Sequence, residues 1–416
     1  MRILICDDNP RNADDIEAAV REGAGRVAIT KLTSNELLGA VTNLFEHIRT
    51  RLEGKKGGAT ADFDGFDLVL IDNNLSLLAT TGARLTAESI AGYLRVFSSA
   101  SYIVSLNKNP DVDFDLRYLV GDYATRADLA INTEHLESKG LWSSKLTDDE
   151  FRPWYWPNLP DATERRKRQI DFVGAHLSKP ILRSFGFTGD VIGTLSRHAV
   201  GALNPEATKG ESSDAATISA DELTFRQLFE SSPRTLALDD ERTALLNGKN
   251  RTRVARAIAG ELDLWFRRDV SGPQNVLVDV PHLISRMPFL LGEEGARNID
   301  AWNAAATATA EPFGLDKALY GKVLKKHRFV LDDWVARPSF WWSDIEQNAE
   351  LQRRQFDLKN VGDFVFCEDI SRFVPRGGPV RQRAREFVTE FEGPWHRRYV
   401  RRLKRVKYAP QSRFAL

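Results

Sequence analysis

Cysteine is scarce. The 416 residues hold only Cys6 and Cys367, with no paired spacing, so neither a disulfide framework nor a thiolate zinc site is indicated, and a reducing compartment fits. No apolar run approaches the ~20 residues that a membrane-spanning helix needs. The amino terminus reaches Asp7 and Asp8 after too few apolar residues for a signal peptide. The expected localisation is therefore cytoplasmic, without a membrane partner. His176, His198, His282, His327 and His396 show no metal-ligand spacing and read as structural histidines. A Gly-rich loop of the P-loop type is missing, as is any internal repeat; Gly377-Gly378 is more simply a turn.

The composition is that of an ordinary globular chain, 42% hydrophobic and 28% charged, with enough length for two or three cores. Net charge is zero, but the two ends are opposed. Residues 1–150 hold 24 Asp and Glu against 16 Lys and Arg, whereas residues 376–416 hold 12 Lys and Arg against three Glu. Such asymmetry predicts either that the ends touch or that the basic end meets an anionic partner.

Phe66-Asp67-Leu68-Val69-Leu70-Ile71-Asp72-Asn73-Asn74-Leu75-Ser76 organises the reading. An apolar run of strand length that ends in a carboxylate predicts a buried parallel strand with Asp72 at its carboxyl edge, where open α/β sheets place their chemistry. Arg2-Ile3-Leu4-Ile5-Cys6 repeats the pattern and ends in Asp7-Asp8-Asn9-Pro10. Side by side, the two strands would gather three carboxylates, which repel one another unless a hard cation such as Mg²⁺ sits among them.

"ILICDDNP" followed by "FDLVLIDNNLS" resembles the receiver domain of bacterial two-component response regulators, over roughly residues 1–150. The resemblance implies a five-stranded parallel, doubly wound, flavodoxin-like fold. It implies Mg²⁺ held by Asp7, Asp8, Asp72 and the main chain of Asn74, and phosphoryl acceptance at Asp72 from a histidine kinase or phosphotransfer protein. Ser105, on the fourth strand Ser101–Ser105, stands where the family's switch hydroxyl is expected. The fifth strand, Ala127–Ile131, should end in a lysine; the chain has Asn132-Thr133 instead, and Lys108 lies just past Ser105.

Apolar spacing predicts helices over 12–23, 37–52 and through Ile90, Leu94 and Phe97, with a second strand at Arg26–Thr30. Residues 151–163, with three prolines and four aromatics from Phe151 to Pro160, read as a Pro/Trp-rich linker after a short fifth helix. Residues 164–416 read as a mixed, mainly helical α+β effector domain of no recognised family. Its first helix opens on Arg165-Arg166-Lys167-Arg168, read as a solvated face, and Gly201 to Ala220 as a mobile loop. A helix is expected at Arg251–Arg268, strands at Asn275–Val280 and Asp363–Asp369, helices at Glu293–Ala310 and Asp316–His327, and a Trp-rich turn at Arg337–Trp342.

Two stretches of this second part are candidates for chemistry. Asp279, Glu368 and Asp369, with Glu261 or Asp263, would supply the acids of a metal-dependent nuclease centre. The segment from His396 to Tyr408 interleaves aromatics with Arg397, Arg398, Arg401, Arg402, Lys404 and Arg405, with an apolar stripe at helical spacing. Such a segment would bind nucleic acid, or dock on acidic surface. Three functions follow as expectations: a response-regulator-like signalling protein, more regulator than enzyme; a constitutive docking protein with a degenerate receiver; and a nucleic-acid binder or nuclease acting through residues 160–416. A homodimer is open in each.

Overall fold

The structure is a computed structural model that describes the chain apart from residues 54–61, 76–77, 79–85, 108–113, 116–125, 145–149, 155–157, 204–218, 232–250, 309–310, 313, 353–360, 377–384, 388–398, 404–405 and 408–416. The amino-terminal third alternates strand and helix. It comprises β1 (Arg2–Asp7), α1 (Pro10–Ala24), β2 (Ala28–Thr33), α2 (Ser34–Leu52), β3 (Leu68–Asp72), α3 (Ala87–Phe97), β4 (Tyr102–Asn107) and β5 (Leu129–Asn132). The strands form one parallel sheet in the order β2-β1-β3-β4-β5, the flavodoxin-like order. This all-parallel doubly wound sheet is the fold class expected for the first part of the chain.

Local chemistry sets the element ends. Asn9 caps α1 by accepting the Arg11 N–H at 3.0 Å, and Pro10 opens the helix, where its missing N–H costs nothing. Gly25, at φ 71°, ends it. α3 starts with a reciprocal capping box between Thr86 and Ser89. Along the strands the side chains alternate between two buried faces. Leu4, Cys6, Val69, Ile71 and Ile103 join the core under α2 and α3. Ile3, Ile5, Leu70, Val104, Leu106 and Ile131 join the core under α1.

Beyond β5 the structure departs from several of the expected elements. The short fifth helix is replaced by two 3₁₀ turns, Thr133–Glu137 and Lys139–Leu141. Gly23 of α1 packs so closely on them that a Cβ there would collide with the Leu136 carbonyl and the Trp142 ring. The described part of the Pro/Trp segment is buried. Phe151 and Trp154 lie within the same core as β1 and β4, and the Arg152 and Trp154 N–H groups donate to Asp369 and Glu368 at 2.9 and 2.7 Å. Trp156 and Pro157 fall outside the described residues.

The next helix, α4 (Leu159–His176), corrects the reading of its basic opening as a solvated face. Arg166 is buried, with ion pairs to Asp128 at 2.6 Å and Asp263 at 3.1 Å. α5 (Arg251–Trp265) packs on α4 and α3 and continues as a π-helical turn, Phe266–Ser271. Among the described residues, short helices and three antiparallel strand pairs make up most of the remainder. They include β6 (Leu277–Asp279), which runs into α6 (Val280–Arg286), and β7 (Ser339–Trp341), which pairs with β6 where a Trp-rich turn was expected. β8 (Phe364–Cys367) pairs with β9 (Arg372–Pro375). The helices expected at Glu293–Ala310 and Asp316–His327 are broken into short pieces. The loop expected at Gly201 to Ala220 lies mostly outside the described residues. Both core layers run without a break from the sheet into residues 173–373, so hydrophobic packing does not separate the parallel sheet from the second part.

Candidate cation pocket at the carboxyl edge of the sheet

β1 and β3 are neighbours in the sheet, with Cys6 opposite Ile71, so the acids that follow both strands emerge at one edge. Oxygens of Asp7, Asp8 and Asp72 lie within 4.8 Å of one another, and all three residues are buried. The Asn9 N–H donates to Asp7 Oδ1 at 2.8 Å, and the Ser34 hydroxyl donates to the Asp8 carbonyl at 3.2 Å, so the turn after β1 is held from both sides. Ser34 sits at φ 44°, in the left-handed region that few non-glycine residues adopt. Cys6, just behind this edge, is buried, and burial followed by the Asp7 charge pushes its thiol far above its ordinary value.

Three close carboxylate oxygens form a hard donor set that suits Mg²⁺. Asn74 follows directly, in a one-residue antiparallel bridge to Thr86. Among the described residues, no other group of three or more acids, histidines or cysteines is arranged to hold a metal.

The other expected residues of the pocket fall less simply. β4 runs two residues past Ser105, because Leu106 continues the buried apolar strand and Asn107 pairs with Asn132 of β5. Ser105 is opposite Ile71 and Ala130, one residue back from the level at which Asp72 meets Leu106. Its hydroxyl is buried and lies 3.5 Å from the Asn73 side-chain oxygen. Two asparagines, Asn107 and Asn132, thus end β4 and β5 side by side. Asn107 was not singled out from the sequence, although its place two residues after Ser105 on the same strand face would have located it. Lys108 falls outside the described residues.

The acids named for a nuclease centre are distributed over separate networks. His282 lies between Asp279, 2.6 Å from Nδ1, and Glu368, 2.9 Å from Nε2, with Trp154 edge-on against its ring. Asp279 also caps α6. Although burial opposes it, His282 and Arg337 hold the Asp279 carboxyl below its ordinary value. Asp263 instead joins Arg166, Arg267 and Gln169, and Asp369 accepts the Arg402 and Leu403 N–H groups.

The basic segment is strand rather than helix where described. Tyr399–Arg401 pairs antiparallel with Arg385–Phe387, and Val406–Lys407 pairs in parallel with Phe114–Asp115, between β4 and β5. Arg397, Arg398, Lys404 and Arg405 lie outside the described residues. Comparison of the chain with family models, with curated proteins and with solved structures finds no match. No helix among the described residues is long and apolar enough to cross a membrane.

Proposed function

We propose that this chain is a receiver-like signalling protein in which Asp7, Asp8 and Asp72 hold Mg²⁺ and Asp72 accepts a phosphoryl group from a histidine kinase or phosphotransfer protein. The meeting of the three carboxylates within 4.8 Å at the carboxyl edge of a 2-1-3-4-5 parallel sheet carries this reading. Bound Mg²⁺ would neutralise charge that develops on the transferring oxygens. Asp72 would attack in line, with Asp7 and Asp8 placing the cation beside it. The Asn73 amide and the Asn107–Asn132 pair would border the phosphoryl oxygens. The output would pass to residues 164–416 through the cores shared with the sheet.

The test is acetyl phosphate or beryllofluoride with Mg²⁺, read by intrinsic fluorescence and intact mass. Wild type should respond and Asp72→Asn should not; silence from wild type, or an equal response from the variant, would sink phosphoryl acceptance.

One observation favours a second reading. Asn132 stands at the end of β5 beside Asn107, and neither can supply the positive charge that a lysine there would bring to an acyl phosphate. In this reading the pocket binds Mg²⁺ and the sheet serves as a constitutive docking module. Mg²⁺-dependent stabilisation without acetyl phosphate or beryllofluoride response would distinguish it. Nucleic-acid binding through residues 160–416 is a third reading; Asp369 holds the Arg402 and Leu403 N–H groups of the basic segment against the protein.

A further inference from the structure

Most buried cations in this chain have a carboxylate partner. Arg166, Arg267 and Arg268 pair with Asp128, Asp263 and Asp269 at 2.6, 3.0 and 2.7 Å. Arg152, Arg165 and Arg337 differ, because each donates only to main-chain carbonyls. Arg152 Nη1 reaches Ser143 and Ser144 at 3.2 and 3.3 Å, Arg165 Nη1 reaches Val335, and Arg337 Nε reaches Ala306 at 2.7 Å. Arg152 and Arg337 are 2% and 4% exposed, and Arg152 Nε and Arg337 Nη1 have no hydrogen-bond partner among the described residues. A buried guanidinium that makes no close ion pair is costly, and Arg152 and Arg337 are both buried, so the arrangement favours a further counter-charge.

The three also act on one another. Burial foremost, with Arg152 and Arg165 adding to it against the pull of Asp279, brings Arg337 down to about 9. Burial and Arg165 bring Arg152 down to about 10, against Asp161.

Arg165 and Arg337 line a cavity of about 40 Å³ with Tyr102, Gln169, Ser271 and Ser339. Ser271, 8% exposed, is the last residue of the π-helical turn and presents a buried hydroxyl with no hydrogen-bond partner among the described residues. Arg267 and the carboxylates of Asp263, Asp279 and Asp333 also form part of the wall; Asp263 is paired with Arg166 and Arg267, Asp333 is paired with Arg168, and Asp279 is hydrogen-bonded to His282. Arg165 and Arg337 make no close ion pair among the described residues, although Asp333 acts on Arg165 and Asp279 on Arg337 at longer range. The volume exceeds the ~10–15 Å³ that one water needs. Tyr102 opens β4 and is four residues from the level of Asp72, so the cavity lies at the amino edge, about 13 Å along the strand from the acidic pocket.

We propose that this cavity binds a compact oxyanion, the size of a phosphate or a carboxylate group, with Arg337, Arg165 and Ser271 as its donors. The site is separate from the acidic pocket and needs no metal.

The test is the unfolding temperature of the full chain in EDTA, with chloride replaced by inorganic phosphate, sulfate or acetate at constant ionic strength. Phosphate should give a saturable rise of about 1–2 °C at ten times its Kd. Arg337→Met should abolish the saturable part, and Ser271→Ala should weaken apparent affinity by roughly ten-fold. Asp72→Asn should leave the response unchanged, which separates this site from the proposed phosphoryl acceptor. Equal saturation by acetate would assign the site to carboxylates, and preference for phosphate and sulfate to tetrahedral oxyanions. A rise that never saturates and is the same in wild type, Arg337→Met and Ser271→Ala is the general salt effect and would overturn the proposal. If Arg337→Met does not fold, an unchanged affinity in Ser271→Ala would overturn it equally.

Discussion

Asp128→Asn removes one charge at the join between the parallel sheet and the rest of the chain while keeping the side chain's shape. Asp128 is 2% exposed and accepts from Arg166 at 2.6 Å, Arg95 at 2.7 Å and the Ile103 N–H at 2.8 Å, and its carbonyl accepts from Arg267 at 2.7 Å. The variant leaves Arg166 buried with only the longer 3.1 Å pair to Asp263. Breaking a buried pair on one side costs about 3–5 kcal/mol, which the urea midpoint should register. In a double-mutant cycle, Arg166→Met should couple with it by about 1–3 kcal/mol, because the second substitution removes the charge that the first had stranded.

The pH dependence adds a sign. Burial alone would raise the Asp128 carboxyl, but Arg166, Arg95 and the Ile103 N–H outweigh it and hold it below its ordinary 3.8. The stability it contributes is therefore present above 3.8 and is lost as pH falls through the lower folded value. Wild type and Asp128→Asn should converge in acid, below about pH 4. A loss under about 1 kcal/mol near pH 7, or strict additivity with Arg166→Met, would refute this account of the join.

Because both core layers pass from the sheet into residues 173–373, calorimetry should show a single cooperative transition, and two resolved transitions would contradict the shared core. Gly23→Ala forces a Cβ into the Leu136 carbonyl and the Trp142 ring and should cost about 1–3 kcal/mol by urea unfolding. Cys6, buried with its thiol pushed up, should not react with a thiol reagent in the native chain; fast labelling without denaturant would show that the β1 edge opens.

The sheet was legible because its strands are short apolar runs bounded by polar residues, and its helices carry their apolar faces at regular spacing. The acidic pocket was legible for the same reason: Asp7, Asp8 and Asp72 each follow directly on such a run. The end of β4 was harder to read, since Leu106 beyond Ser105 continues the strand and only pairing with β5 fixes where it stops. Arg166 could not be recognised as buried, because nothing in Arg165-Arg166-Lys167-Arg168 reveals that Asp128 and Asp263 lie across from the second residue. The partners of the Pro/Trp segment were hidden for a related reason. Proline and aromatics suit an exposed extended linker, but they suit equally a buried strand-like stretch whose N–H groups find Glu368 and Asp369, more than 200 residues away.

The central claim is that the three edge carboxylates form a cation pocket, and isothermal titration of the metal-free chain with Mg²⁺ tests it most directly. One saturable site is predicted in wild type, weakened at least about ten-fold in Asp8→Asn and in Asp72→Asn. Absence of Mg²⁺ uptake by wild type, or uptake unaltered in both variants, would contradict it.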